Sequence, residues 1–472
     1  MFARIGIMLF CAFLIGTCQP KPNVPAKQAT EQRDLPEIKQ EGKLRALIAY
    51  SATSYFLYRG RPMGYEYELL ERLANGLGLE LELKVASDLD NMLEELTSGK
   101  VDLVAHGLAI TSERKSRVAF SDYLYLTKQV LVQKKPENWR QLTFEEIGNS
   151  LIQDPVQLIG DTVSVRKNSS YLERLGNLSR EIGGDIVIDT LTGNLSTDEI
   201  IRMVEEEKIK YTVADRNLAR INASYFPSLD VSVPVSFSQR IAWAVRPGSV
   251  ALLDAINNWL EQEKKGVDYY VIYNKYFKNQ TTFKKRAQSD YYSLNKSGIS
   301  KYDHLIKRYA NSLGWDWRLL ASLIYQESKF DPEAESWTGA RGLMQMLPST
   351  AEELGVENLD DPEAVLAGGT RYLKQIYRQF GQVPDSIQRV KLTLASYNCG
   401  YEHVRDAQHL AVLRGLDAQC WDNNVDQMIL SLSYPKNYNL EVVSHGYVRG
   451  LEPFNYVNQI FDRYAKYESV IE

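Results

Sequence analysis

Apolar positions follow two rhythms along this chain. Between about Lys43 and Val245 short apolar or β-branched runs alternate with stretches of helical spacing, and beyond Ser300 helical spacing dominates. Leu44–Tyr50 predicts a strand, Tyr65–Gly78 a helix stopped by glycine, and Leu79–Ala86 a second strand. Leu89–Gly99 then predicts a helix and Lys100–Ile110 a third strand. Such βαβ units place their strands in parallel and leave ligand crevices at the strands' carboxyl ends. In the second part, Tyr302, Leu305, Ile306, Tyr309, Ala310 and Leu313 mark a helix capped by Ser300 and Asp303 and stopped by Gly314. The next helix starts near Asp316 and carries Leu319, Leu320, Leu323 and Ile324 toward a single acid, Glu327. An α/β region followed by a mainly α domain is the expected architecture.

Between them, residues 279–297 lose periodicity and gather Lys, Gln, Thr and Ser, so a linker is expected there, with Lys284-Lys285-Arg286 as its solvated basic run. At the start, Arg4 precedes an apolar run from Ile5 to Ile15, too short for a membrane-spanning helix, which takes about 20 residues. Residues 1–17 therefore read as a secretory signal peptide, and 18–40, rich in Pro, Lys, Gln and Glu, as a tether. Leu14-Ile15-Gly16-Thr17-Cys18 resembles the lipobox of bacterial lipoproteins, with Thr17 where Gly or Ala is usual; the resemblance implies lipidation of Cys18, ordinary cleavage being the alternative.

A chain of 472 residues calls for two or three domains, and its net charge of −5 gives no basic surplus for nucleic acid. Of four cysteines, Cys11 and Cys18 fall in the leader; Cys399 and Cys420 are either a disulfide or two free thiols. The five histidines form no metal-ligand spacing, and no metal or other cofactor is expected.

Two resemblances add to this reading. Gly64-Tyr65-Glu66-Tyr67-Glu68-Leu69, then Gly107–Arg117 followed by Phe120-Ser121-Asp122-Tyr123, resemble the signature stretches of the family 3 periplasmic solute-binding proteins. The resemblance covers 41–278 and implies a bilobal fold, the second lobe running from about 136 to 233 before the chain returns through Val235–Val245 and closes with a Ser249–Gly266 helix. Two crossings between lobes imply a hinge. It further implies that Arg114 clamps a ligand carboxylate, that Ser169 and Ser170 offer an anion site at a helix start, and that Asp215 holds an amino group. Read from the residues alone, the serines are N-caps and Asp215 is a strand-end acid. An amino acid or a short cell-wall peptide would suit the clamp.

Glu327-Ser328, Gly339–Met346, Tyr397-Asn398-Cys399-Gly400 and Glu452 with Tyr456-Val457 resemble, in order, the motifs of the soluble lytic transglycosylase family, which implies a goose-type lysozyme-like helical domain at 298–472. Ser396 and Pro453 depart from those motifs at positions not expected to do chemistry. By the same resemblance Glu327 is the catalytic acid, and Ser336, Gln345, Tyr397, Glu452 and Tyr456 line the glycan cleft; Tyr397 and Tyr456 also read as core, Glu452 as a surface acid and Gln345 as a helix-start residue. The substrate implied is peptidoglycan, and the setting is the periplasmic face of the outer membrane. Asp331, Glu333 and Glu335 read as solvated, leaving Glu327 without a motif-placed partner carboxylate. An ordinary glycosidase needs two; one suffices when the sugar's own hydroxyl is the nucleophile. The competing readings are a catalytically inactive murein-binding sensor and a lysozyme-type hydrolase.

Overall fold

The computed structural model describes residues 33–471 apart from 87, 193–194 and 296–297. The leader, Cys18 and most of the tether lie outside the described residues. Thirteen strands occur among them: β1 (Lys43–Ile48), β2 (Phe56–Tyr58), β3 (Arg61–Met63), β4 (Glu80–Val85), β5 (Leu103–Ala109), β6 (Ala119–Phe120), β7 (Tyr125–Thr127), β8 (Gln129–Lys134), β9 (Thr162–Arg166), β10 (Val187–Leu191), β11 (Tyr211–Asp215), β12 (Leu229–Asp230) and β13 (Gln239–Val245).

The first lobe is a six-stranded sheet in the order β4-β1-β5-β13-β6, with β7 also on β13. The expected βαβ units pair β1 in parallel with both β4 and β5, while the returning β13 runs antiparallel to β5. Leu44, Ala46, Leu47 and Ile48 are all buried, as a strand covered on both faces requires. Asp102, just before β5, is fully buried and accepts from Arg33 Nε at 2.8 Å and Arg246 Nη2 at 3.2 Å, which fastens the start of the described chain to this lobe.

In the second lobe, β11-β8-β12 form an antiparallel sheet beside the parallel pair β9 and β10. Its sheet already includes β8, before the expected start near Pro136, because Val130, Leu131 and Val132 are buried in that lobe's two cores.

Within the expected linker, residues 279–295 are partly helical and packed against the first lobe. Gln280–Ala287 is helical, Leu57 N–H donates to Ser293 Oγ at 2.8 Å, and Arg59 N–H donates to Tyr291 O at 3.0 Å. Lys284 and Lys285 are exposed as expected, but Arg286 is buried, its guanidinium 5.4 Å from the Phe56 ring centroid and 5.3 Å from that of Tyr276. Aromatic faces accommodate this cation where water does not.

Helices alone build the C-terminal part; among the described residues it has only isolated β-bridges. The Trp317–Ser328 helix packs on Leu451–Glu468, which also packs on Ser386–Cys399. The β2–β3 hairpin of the first lobe presses its tip onto this domain: Tyr467 Oη donates to Gly60 O at 2.8 Å. A Cβ on Gly60, whose φ is +70°, would stand 2.7 Å from Tyr467 Oη and 2.8 Å from Phe330 Cε2. Gly60→Ala therefore destabilises the protein by about 1–3 kcal/mol, through the left-handed backbone and the crowded seam, and lowers the midpoint of thermal unfolding.

Candidate functional site

Asp316 caps the Trp317–Ser328 helix by accepting from Arg318 N–H at 2.8 Å, and the helix buries Leu319, Leu320, Leu323 and Ile324. That face fixes the rotation of the helix and carries Glu327 on its last turn. The helix stops at Lys329 with φ +53°, and Phe330 follows at φ +65°. Two successive non-glycine residues in the left-handed region turn the chain sharply away just past the acid.

Burial raises the Glu327 carboxyl from its ordinary 4.5 to about 7, while a hydrogen bond from Tyr456 Oη to Oε1 pulls in the opposite direction. Glu327 in turn pushes the phenols of Tyr397 and Tyr456 further above their ordinary value, after burial itself, so the three groups share one pocket. No second carboxylate is among the groups acting on Glu327 within the described residues.

Tyr397 Oη donates to Met344 O at 2.8 Å, and Ser328 Oγ donates to Leu343 O at 2.8 Å. These bonds pin the glycine-rich loop against the acid's helix. Gly342, at φ +78°, has no room for a Cβ, which would lie 2.2 Å from Leu359 O. The side chains of Gln345 and Ser336 serve that loop's own backbone: Gln345 Nε2 donates to Ala334 O at 2.8 Å, and Ser336 Oγ accepts from Ala340 N–H at 3.0 Å. Gln345 has φ +47° and begins no helix. Glu452 is exposed one turn before Tyr456, on the same helix face, and its charge raises the Cys399 thiol further after burial. Cys399 and Cys420 are free thiols.

The four N-terminal candidates divide between two adjoining cavities. Arg114, Ser169 and Ser170 line one of about 310 Å³, whereas Asp215 lines another of about 60 Å³; His106 and Arg166 line both. The lobes touch beside the smaller cavity, where Ala52 N–H of the first donates to Asp198 Oδ2 of the second at 3.2 Å. Arg114 Nη1 donates to Ala109 O at 3.0 Å. Ser169 stands at the N-cap, but its hydroxyl donates to Arg166 O at 2.7 Å instead of capping the helix; Ser170 Oγ accepts from Gln129 Nε2 at 3.3 Å. Burial lifts Asp215 to about 7 against the pull of Arg114, and its Oδ1 is buried without a hydrogen-bond partner.

Residues 43–279 match the family model described as bacterial extracellular solute-binding proteins, family 3, and residues 304–412 match the transglycosylase SLT domain. A relative from Desulfosudis oleivorans, named membrane-bound lytic murein transglycosylase F, is 34% identical over 91% of this chain and 90% of its own length. The chain belongs to the membrane-bound lytic murein transglycosylase F family. Another member, from Pseudomonas putida, is 32% identical over 98% of this chain and 92% of its own. An ancestral arginine-binding protein bound to arginine overlaps 50% of this chain and 98% of its own at 28% identity and a TM-score of 0.43.

Three residues of this family member escaped the sequence reading. Glu66 stood out only as part of a motif; it lines the smaller cavity, burial raises it to about 7, and its Oε2 has no hydrogen-bond partner. His106, lowered to about 3 by burial and then by Arg166 and Arg114, is a neutral group beside two guanidiniums. Trp337 is 97% exposed in the loop after the acid, and a tryptophan between Ser336 and Thr338 was the available signal. Among the described residues no group of His, Cys, Asp and Glu could hold a metal ion, and no helix is long and apolar enough to cross a membrane.

Because the fold raises the proton affinity of Glu327, the stability this contributes is complete below the carboxyl's ordinary 4.5 and is lost as pH rises through about 7. Denaturant unfolding from about pH 4 to about pH 9 should show that loss in the native protein. The part due to Glu327 should move to higher pH in Tyr456→Phe, which lacks the hydroxyl favouring the carboxylate, and be missing in Glu327→Gln, which keeps the parts due to Glu66 and Asp215, also raised to about 7 by burial.

Proposed function

We propose that this chain is a peptidoglycan lytic transglycosylase whose N-terminal lobes form a ligand-binding regulatory domain. The observation that carries the catalytic assignment is Glu327 raised to about 7 by burial, with Tyr456 as hydrogen-bond donor and no carboxylate acting on it among the described residues. Glu327, protonated, gives its proton to the oxygen between N-acetylmuramic acid and N-acetylglucosamine as the bond from that oxygen to the muramoyl anomeric carbon breaks. The muramoyl 6-hydroxyl then attacks the anomeric carbon and yields its proton to the Glu327 carboxylate. The product carries a 1,6-anhydromuramoyl end, no water is consumed, and Glu327 regains its starting state. An intramolecular nucleophile has a high effective molarity, so a second enzymic base is dispensable. Tyr456 orients the acid, and Tyr397 holds the glycine-rich loop beside it. Glu452, Ser336 and Gln345 line the glycan path, the last two by shaping the loop, and Trp337 offers a sugar ring an apolar face.

Arg114, Ser169, Ser170 and Asp215 take up an amino acid or a muropeptide. Lipidation of Cys18 holds the chain on the periplasmic face of the outer membrane; this part rests on the Leu14–Cys18 sequence alone.

Mass spectrometry of sacculi digested by the native protein should find anhydromuramoyl ends, cut by about 10³-fold in Glu327→Gln. Their rate of formation should fall as pH rises through about 7, where the acid loses its proton. Reducing ends would instead mean hydrolysis, and no products from the native protein would mean a binding role. For the lobes, a thermal-shift screen of amino acids and muropeptides should find a stabilising ligand whose effect is lost in Arg114→Ala.

A further inference from the structure

On another side of the lobe junction, apart from the Arg114 cavity, lies an open groove of about 550 Å³. Lys128 reaches it from the link between β7 and β8, Arg216 and Arg220 from the Arg216–Tyr225 helix, and Lys278 from the end of the Val267–Phe277 helix. Segments of both lobes therefore contribute cations to one hollow, and no carboxylate lines it.

Some of the lobes' other cations have carboxylate partners: Lys134 with Glu207, Arg174 with Glu181, Arg246 with Asp102 and Lys275 with Glu68. The four in the groove have neither an ion pair nor a side-chain hydrogen bond among the described residues. Only Lys278 has a local reason for its place, at the carboxyl end of its helix and 5.8 Å from the Tyr273 ring centroid. Arg216 and Arg220 stand one turn apart on one helix face, where like charges repel. In a chain of net charge −5, such a concentration of unpaired positive charge runs against the overall balance. An anion in the groove would relieve it.

We propose that this groove binds a phosphate-bearing anion. Two guanidiniums supply forked donors that fit phosphate oxygens, and the two ammoniums of the lining add charge. Ser238 and Asn217 add neutral polar groups to the lining. The positive charge gathered there exceeds what one carboxylate balances and suits the higher charge of a phosphate. Leu126, half exposed, gives the rim an apolar edge for whatever the phosphate is attached to. Because the walls come from both lobes, an occupant bridges them.

The phosphate could belong to a soluble ester or to an anionic phospholipid headgroup, and two arms separate these sources. Calorimetric titration of the full chain with pyrophosphate tests the first. Co-sedimentation with phosphatidylcholine vesicles, with and without phosphatidylglycerol, tests the second; any anchor at the chain's start acts equally on both vesicle types. The groove variant is Arg216→Gln/Arg220→Gln, and the control is Arg180→Gln/Lys208→Gln, which removes equal charge from exposed positions of the same lobe. Pyrophosphate binding weakened about tenfold or more in the groove variant alone assigns a soluble phosphate. Sedimentation that needs both phosphatidylglycerol and the groove arginines assigns a headgroup. Groove and control variants that behave alike in both arms, or no binding in either, overturn the proposal.

Discussion

Shielding the Glu327 carboxyl from much of the water, while leaving it one hydroxyl as partner, is the constraint on which the catalytic domain is organised. A carboxyl in solvent gives up its proton well below neutral pH; one screened by an apolar helix face and two phenols holds it near pH 7. The arrangement needs the Trp317–Ser328 helix at a fixed rotation, the Leu451–Glu468 helix to deliver Tyr456, and the Ser386–Cys399 helix to deliver Tyr397. Each helix is set by its own buried residues, so the packing of the domain and the proton affinity of its acid have the same origin.

The acid is also joined mechanically to the first lobe. Lys329 and Phe330 hold unfavourable left-handed backbone, which persists only where surroundings over-determine it. Part of those surroundings is the Gly60 turn, in contact distance of Phe330 and bonded to Tyr467. The packed 279–295 stretch adds to this seam through Tyr291 and Ser293. The first lobe thus touches Phe330, only three residues from the carboxyl, directly.

Much of this was legible in the residues because local rules dominate where helices and strands are periodic. The alternation from Leu44 to Ile110 marked three strands and two helices that are present but passed over the short β2–β3 hairpin, and the apolar run ahead of Glu327 placed the acid at a helix end. Tertiary contacts decided the rest. Residues 279–297 lack periodicity because their anchors, Phe283, Arg286 and Tyr292, are irregularly spaced and packed against distant chain. Arg286 looked solvated because no sequence rule reports an aromatic cage. The second lobe's early start was missed because β8 follows β7 after a single residue, so the hinge leaves no loop for a sequence reading to detect. Ser336 and Gln345 were found by motif, but that they brace a loop depends on backbone conformation, which spacing does not encode.

The turn at Gly60 has a consequence for how the molecule can be taken apart. Ile299, Phe330 and Tyr467 are buried, and the hairpin tip is part of their cover. A fragment beginning at the C-terminal domain would carry that facet bare, an oily patch one loop away from the catalytic acid. The two domains are halves of a shared joint, each finishing the surface of the other, and neither is a module that can be lifted out clean.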